Sequence, residues 1–138
     1  MQYITGKYAL NIDCELETPG DWHSSALNWN NIVLMSTQNH ILKDYGIESD
    51  KSIPEHTKKY NVANHIRAIL DLMIQNDCRY LKGFRNDFIC TDKYELEFFN
   101  QVMKLKILEN WKDIDELMNK EYLMKWIRFK EVYNGLES

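Results

Sequence analysis

The stretch of sequence that decides the fold is NVANHIRAILDLM, residues 61–73. Counted from Val62, apolar residues recur at offsets of 4, 7, 8 and 11, as Ile66, Ile69, Leu70 and Met73. A helix turns by about 100° per residue, so this spacing places all of them on one face. The sequence therefore predicts an amphipathic helix that begins at residue 60 or 61 and ends near residues 76–77.

Two similar patterns follow in the C-terminal half. Asp92 with Glu95 resembles a capping box, and Asp113 with Glu116 repeats the signal. The apolar stripes after them are Phe98, Phe99, Val102, Met103 and Leu105, and then Leu117, Met118, Tyr122, Trp126, Phe129 and Tyr133. We predict one helix that ends at about residue 108 and a long final helix closed by Gly135.

The N-terminal half has shorter patterns. Alternation of Tyr8, Leu10 and Ile12 predicts a strand or hairpin arm over residues 3–12, and residues 32–35 predict a second, buried strand. Between them, Asp21 is expected to cap a short helix that runs to residue 29. Residues 36–59 are expected to form a long loop, and residues 84–90 fit either a buried strand or a turn-rich connector.

These elements define an α+β fold in which short N-terminal strands or a hairpin pack on a C-terminal bundle of about three helices. With 138 residues and no linker, the chain (1–138) is expected to be a single domain. A hydrophobic fraction of 44% with 28% charged residues is typical of a globular protein.

Charge and composition exclude several classes of function. A net charge of -4 gives no broad positive field, so nucleic acid is a disfavoured partner. Three cysteines without paired spacing favour neither disulfides nor a metal site, and no sequence signature of a cofactor is present. The chain contains no signal-peptide pattern and no apolar run of about 20 residues, so we expect a cytoplasmic protein that does not interact with membranes.

The segment GDWHSS, residues 20–25, is the most unusual local sequence. At a helix start, free N–H groups favour an anion, and His23 beside Asp21 suits general base chemistry. In the alternative interpretation, Asp21 is a helix cap, Trp22 lies in the core and His23 is a surface residue. The spacing alone favours the second interpretation.

A second set of candidates lies on the first predicted helix. His65 falls within the apolar stripe, where a histidine needs hydrogen-bond partners and is either a core residue or part of a site. Arg67 and Asp71 are four residues apart, which is typical of a surface ion pair, although Arg67 is also a candidate for binding an anion. Asn64 is counted with Arg67 among the candidate binding residues.

A third set, Arg85 and Asp87, lies between two phenylalanines. The two charged side chains are expected either to belong to a functional site or to tie a loop to a helix. The spacing does not show whether the candidate residues meet in one pocket. The catalytic candidates are His23, His65, Asp21 and Asp87, and the binding candidates are Arg67, Arg85, Trp22 and Asn64.

Five segments, ALNI (9–12), GDWH (20–23), NVANHIRA (61–68), DFIC (87–90) and KEY (120–122), resemble an uncharacterised family of small bacterial proteins. Genes of this family occur near toxin–antitoxin or other mobile-element genes. The resemblance implies a role in bacterial defence or in a toxin–antitoxin pair, and it brings no catalytic residues with it.

Three functions follow from these features. The first is a protein-binding module, antitoxin-like or immunity-like, whose aromatic residues anchor a protein partner. The alternative is a small enzyme or nucleotide-binding toxin that uses His23 or His65 as acid or base and Arg67 or Arg85 to bind an anion. The third is a homo-oligomer formed through the long C-terminal helix.

Overall fold

The computed structural model describes residues 1–137, with the side chains of residues 1–135. The fold is α+β, with short antiparallel strands in the N-terminal half and helices in the C-terminal half, as predicted. The strands are β1 (Gln2–Tyr3), β2 (Met35–Ser36), β3 (Ile47–Lys51) and β4 (Tyr60–Ala63). They form two antiparallel pairs, β1 with β2 and β3 with β4. A parallel bridge between Ile4 and Val62 joins the two pairs.

The predicted strand over residues 3–12 is wrong beyond its first residues. Gly6 has a φ of +67°, and the chain turns there into helix α1 (Gly6–Leu10). The alternation that suggested a strand covers only three side chains. It does not fix the backbone, because Leu10 is also buried by a short helix that packs against the helix at His65–Ile74, and Ile12 is buried just after that short helix.

The other N-terminal predictions also need correction. Residues 21–29 do not form an α-helix, and the chain makes two 3-10 turns there, Ser24–Ala26 and Trp29–Asn31. Of the predicted strand over residues 32–35, only the last residue enters β2. The predicted long loop over residues 36–59 contains strand β3, whose partner β4 could not be recognised from local sequence.

Helix α2 (His65–Ile74) carries the stripe predicted from residues 61–73, but it begins later than expected. Asn64 caps it, because its side-chain oxygen accepts a hydrogen bond of 2.8 Å from the N–H of Arg67. The preceding residues lie in β4, where Val62 is buried as part of a strand rather than a helix.

The C-terminal half contains three α-helices and two shorter turns. They are a π-helical turn at Arg85–Ile89, α3 (Glu95–Met103), a 3-10 turn at Lys104–Ile107, α4 (Trp111–Tyr122) and α5 (Met124–Glu137). The predicted long final helix is therefore broken at Leu123, and Gly135 lies inside α5 instead of closing it.

The three predicted apolar stripes meet in the interior. Phe99 of α3 makes edge-on ring contacts with Tyr122 of α4 and Trp126 of α5, at centroid distances of 4.8 and 5.3 Å. The buried residues of β1, α1, α2 and these helices belong to one hydrophobic cluster. Among residues 1–137, no helix has both the length and the apolar composition to cross a bilayer.

Candidate functional site

A buried ion pair lies beneath the N-terminal strands. Arg67 and Asp71 are 0% and 1% exposed, so the surface pair expected from the sequence is in fact enclosed. Arg67 Nε donates to Asp71 at 3.1 Å, Nη1 to the carbonyl oxygen of Tyr45 at 2.6 Å, and Nη2 to the hydroxyl of Tyr3 at 2.9 Å. The other oxygen of Asp71 accepts from Tyr3 and from Thr5, both at 2.7 Å. Each nitrogen of the guanidinium is therefore directed to a protein acceptor.

His40 completes this network from the loop before β3. Its Nδ1 accepts a hydrogen bond from the N–H of Leu42 at 3.0 Å, so the neutral ring carries its proton on Nε2. That nitrogen lies 3.1 Å from Asp71. Burial lowers the pKa of His40 and outweighs the opposing effect of Asp71. The network thus joins the loop, β1 and α2 around one carboxylate.

His65 lies in a second buried network, next to the first on α2, and is 1% exposed. Its Nε2 donates to the carbonyl oxygen of Ile12 at 2.8 Å, because that oxygen can only accept. Nδ1 then accepts from the hydroxyl of Thr18 at 2.6 Å, and the sulfur of Cys14 lies 3.6 Å from the same hydroxyl. The predicted inward direction of His65 is confirmed, and its ring ties the segment of residues 12–18 to α2.

The GDWH segment crosses the surface directly above this network. Trp22 has a φ of +60° and is 74% exposed to solvent. The backbone is held on both sides of it: the N–H of Asp21 donates to Leu10 at 2.9 Å, and the N–H of His23 donates to the side chain of Asn11 at 2.6 Å. Trp22 was expected in the core in one interpretation of the sequence, and the structure places it in solvent.

Asp21 and His23 form an oriented pair beside Trp22. His23 Nδ1 lies 2.7 Å from one oxygen of Asp21, and the hydroxyl of Tyr80 donates a short hydrogen bond to the other. Burial of Asp21 would raise the pKa of its carboxyl, but the bonds from Tyr80 and His23 outweigh it and lower the pKa. The imidazole is 74% exposed, and within residues 1–137 its Nε2 has no hydrogen-bond partner. Asp21 therefore orients His23 and does not cap a helix.

We expect Asp21→Asn to lower the pKa of His23. The hydrogen bond and negative charge of Asp21 raise the His23 pKa above its usual value of about 6.5, and asparagine removes the charge. A histidine whose pKa is raised by folding contributes stability below its unfolded pKa, and that contribution is lost as pH rises through the folded pKa. NMR titration of the ring protons measures the shift.

The control for this titration is Asp13→Asn, which makes the same chemical change at an exposed residue eight positions earlier in the chain. It should leave the His23 titration unchanged. An Asp21→Asn variant in which His23 titrates as in the wild-type protein would contradict the pairing.

Arg85 and Asp87 both lie in the π-helical turn Arg85–Ile89, and within residues 1–137 neither side chain bonds to His23. The carboxylate of Glu121 accepts from the N–H groups of Gly83 and Arg85 at 3.0 and 2.9 Å. Arg85 Nη1 donates to the Glu121 carbonyl oxygen at 3.0 Å, and its guanidinium lies over the ring of Tyr122. Arg85 thus ties the turn to α4, as one interpretation predicted, and Asp87 is exposed.

The predicted site residues do not come together in either of two surface clefts. A cleft of about 520 Å³ lies between the segment after α2 and α4, and Cys78, Arg79 and Asp113 are among its lining residues. A smaller cleft, of about 380 Å³, has Arg85 and Asp92 among its lining residues. His23, His65 and Arg67 line neither of them.

The structure brings only some of the candidates together. Asp21, Trp22 and His23 are adjacent in the loop, and Asn64, His65 and Arg67 share the start of α2. Within residues 1–137, the two groups approach each other at Gly20, the neighbour of Asp21, where a Cβ atom would lie 2.8 Å from the ring of His65. Sequence analysis missed Tyr80, which holds Asp21 from 59 positions away, and nothing in the local pattern marks it. Within residues 1–137, no group of three or more His, Cys, Asp or Glu side chains is placed to hold a metal ion.

The fold and this site define the chain as an α+β domain that displays an exposed tryptophan and an oriented histidine on a fixed loop. Comparisons with protein-family models, curated proteins and solved structures gave no match.

Proposed function

We propose that the protein is a protein-binding module, antitoxin-like or immunity-like, in which Trp22 anchors the partner. The observation that carries this proposal is the 74% exposure of Trp22 on a loop fixed by hydrogen bonds on both sides. Tryptophan is enriched among the residues that supply most of the binding energy of interfaces. A side chain of this size also buries 150–250 Å² when it is covered, which gains several kcal/mol.

The fixed backbone adds to the argument. A loop that must be ordered on binding loses part of the interaction energy to that ordering. Here the bonds from Asp21 and His23 to Leu10 and Asn11 hold the segment in place before a partner arrives. The left-handed φ of Trp22 is an unfavourable conformation for a large side chain, and such conformations are concentrated at binding sites.

The charge of the chain indicates the chemistry of the partner. A net charge of -4 favours association with a basic protein, because complementary charge accelerates encounter and disfavours wrong partners. The resemblance to a bacterial family encoded near toxin–antitoxin genes supports a partner encoded by a neighbouring gene. Masking such a partner requires no catalytic residues, which agrees with a function based on a surface rather than a cleft.

The Trp22→Ala variant tests this proposal. We expect it to weaken binding to the product of a neighbouring gene by about 30-fold, which corresponds to about 2 kcal/mol, because the anchor is removed. Isothermal titration calorimetry of the purified proteins gives the dissociation constant. The unfolding free energy should change by less than about 0.5 kcal/mol, since an exposed side chain is lost.

Val33→Ala is the matched control, because Val33 is also apolar and also 74% exposed. It should change the dissociation constant by no more than about twofold, as expected of a surface residue outside the anchor. A Trp22→Ala variant that binds as tightly as the wild-type protein contradicts the proposal, and so does a wild-type chain that binds neither neighbouring gene product.

The second candidate function is a small enzyme in which His23 acts as a general base. The oriented Asp21–His23 pair favours it, since a carboxylate that fixes the imidazole and leaves Nε2 exposed is the arrangement that proton transfer needs. The His23→Gln variant separates the two functions. A binding module keeps its affinity in this variant, whereas an enzyme that acts on the partner or on a nucleotide loses its activity.

A further inference from the structure

The connection between α4 and α5 is a single strained residue. Leu123 has a φ of +54° and a ψ of -130°, a region that glycine enters freely and that residues with a Cβ atom avoid. Its N–H still donates to the carbonyl oxygen of Asn119 at 2.9 Å, so the hydrogen bonding of α4 continues up to this position. The φ and ψ angles of Leu123 alone therefore decide whether α4 and α5 are two helices or one continuous helix.

The local sequence does not require this break. Residues 120–126 read KEYLMKW and contain neither glycine nor proline, and the sequence pattern predicts one continuous helix through them. Leu123 is 63% exposed and Met124 is 53% exposed, so no buried contact of these side chains holds the turn. A continuous helix would remove the strain and would give the last carbonyl oxygens of α4 their helical partners.

What holds the break is the packing of α5 on the rest of the chain. Trp126 is 0% exposed and lies edge-on to Phe99. Asp115 of α4 accepts hydrogen bonds from Trp126 Nε1 at 2.8 Å and from Lys130 at 2.7 Å. These contacts require an α5 in this position, but they do not require that the α5 belong to the same chain.

We infer that a second copy of this chain is a partner of α5. In this arrangement α4 and α5 straighten into one helix of residues 111–137, about 40 Å long, and two copies exchange their α5 segments. Each α5 then supplies Trp126 and Lys130 to Phe99 and Asp115 of the other copy, with the contacts of the closed form kept. A short strained connection is the feature that promotes such exchange. The inference does not involve Trp22 and is independent of the proposed function.

The full chain, refolded from urea at increasing protein concentrations, provides the test. By size-exclusion chromatography with light scattering, we expect a dimer whose fraction rises with concentration. The Leu123→Gly variant should reduce the dimer fraction at least about tenfold, because glycine adopts these angles without strain and disfavours the continuous helix. Leu123→Ala keeps the Cβ atom and favours the helix, so it should dimerise at least as much as the wild-type chain.

Double electron–electron resonance, which measures the distance between two spin labels, distinguishes an exchanged dimer from a side-by-side dimer. Nitroxide labels on Lys112→Cys and Glu131→Cys, in a Cys78→Ser and Cys90→Ser background diluted with unlabelled chain, report the distance within one molecule. Nineteen helical residues span about 28 Å in the straightened form, and the folded-back form gives a shorter distance. The inference is overturned if the wild-type chain is monomeric at every concentration. It is also overturned if the Leu123→Gly variant has the same dimer fraction as the wild type, or if the dimer shows the short distance between labels.

Discussion

We expect Arg67→Met to lower the free energy of unfolding by about 3–5 kcal/mol, because the substitution leaves a buried carboxylate without its countercharge. Arg67 is fully buried and binds Asp71, the hydroxyl of Tyr3 and the carbonyl oxygen of Tyr45. Methionine fills much of the same volume but supplies none of these donors. Urea denaturation followed by circular dichroism measures the change.

The matched control is Arg128→Met, the same substitution at an exposed position of α5. It should change the free energy of unfolding by less than about 0.5 kcal/mol. The double variant Arg67→Met with Asp71→Leu should recover part of the loss, since it removes the unpaired charge as well. A loss below about 1 kcal/mol in Arg67→Met would show that the network contributes little net stability.

The second large effect is expected for Gly20→Ala, with a loss of about 3 kcal/mol or more. Gly20 has a φ of +69°, which costs about 1–2 kcal/mol for a residue with a Cβ atom. That Cβ would lie 2.1 Å from the carbonyl oxygen of Leu10 and 2.8 Å from the ring of His65. Moving either group breaks a hydrogen bond, from Asp21 to Leu10 or from His65 to Ile12. Thermal and urea unfolding both report the loss.

Gly135→Ala provides the comparison, since within α5 a Cβ at this position would meet nothing within 4 Å. Alanine in a helix is favoured over glycine by about 0.5–1 kcal/mol, so this variant should be slightly more stable than the wild-type chain. If Gly20→Ala unfolds at the same urea concentration as the wild-type protein, the close approach of Gly20 to His65 is not an essential contact.

The Gly20→Ala prediction bears on the proposed binding surface as well as on stability. His65 fixes residues 12–18 from below, and Gly20 lets the next segment pass close over its ring. The loop that carries Trp22 therefore lies on the second buried network of α2. A variant that disturbs Gly20 should weaken partner binding through displacement of Trp22, in addition to its effect on folding.

Helices α2, α3 and α4 could be predicted from sequence because their signals are local. The stripe that begins at Val62 and the stripe that begins at Phe98 repeat at the period of a helix, and their residues are buried as expected. The α+β class followed from the same periods. The inward direction of His65 also followed, because its angular position on the helix is fixed by its neighbours in the stripe.

The errors arose where a distant contact outweighs a local preference. Helix α2 begins at His65 because Asn64 caps it and because β3 takes the preceding residues as its partner strand. Nothing within a short window shows that β3 and β4 pair. The break at Leu123 has the same origin, since the packing of Trp126 on Phe99 holds α5 against a sequence that favours a straight helix.

The sequence by itself determined the helical period of α2, α3 and α4, the fold class and the inward face that carries His65, because these depend on neighbours within one or two turns. Only the tertiary structure decided that Arg67 and Asp71 are enclosed, that Trp22 is exposed, and that Tyr80 holds Asp21 beside His23. Those outcomes depend on groups that are tens of residues apart in the chain. The packing of the strands and helices brings these groups into contact, and no local sequence pattern indicates that packing.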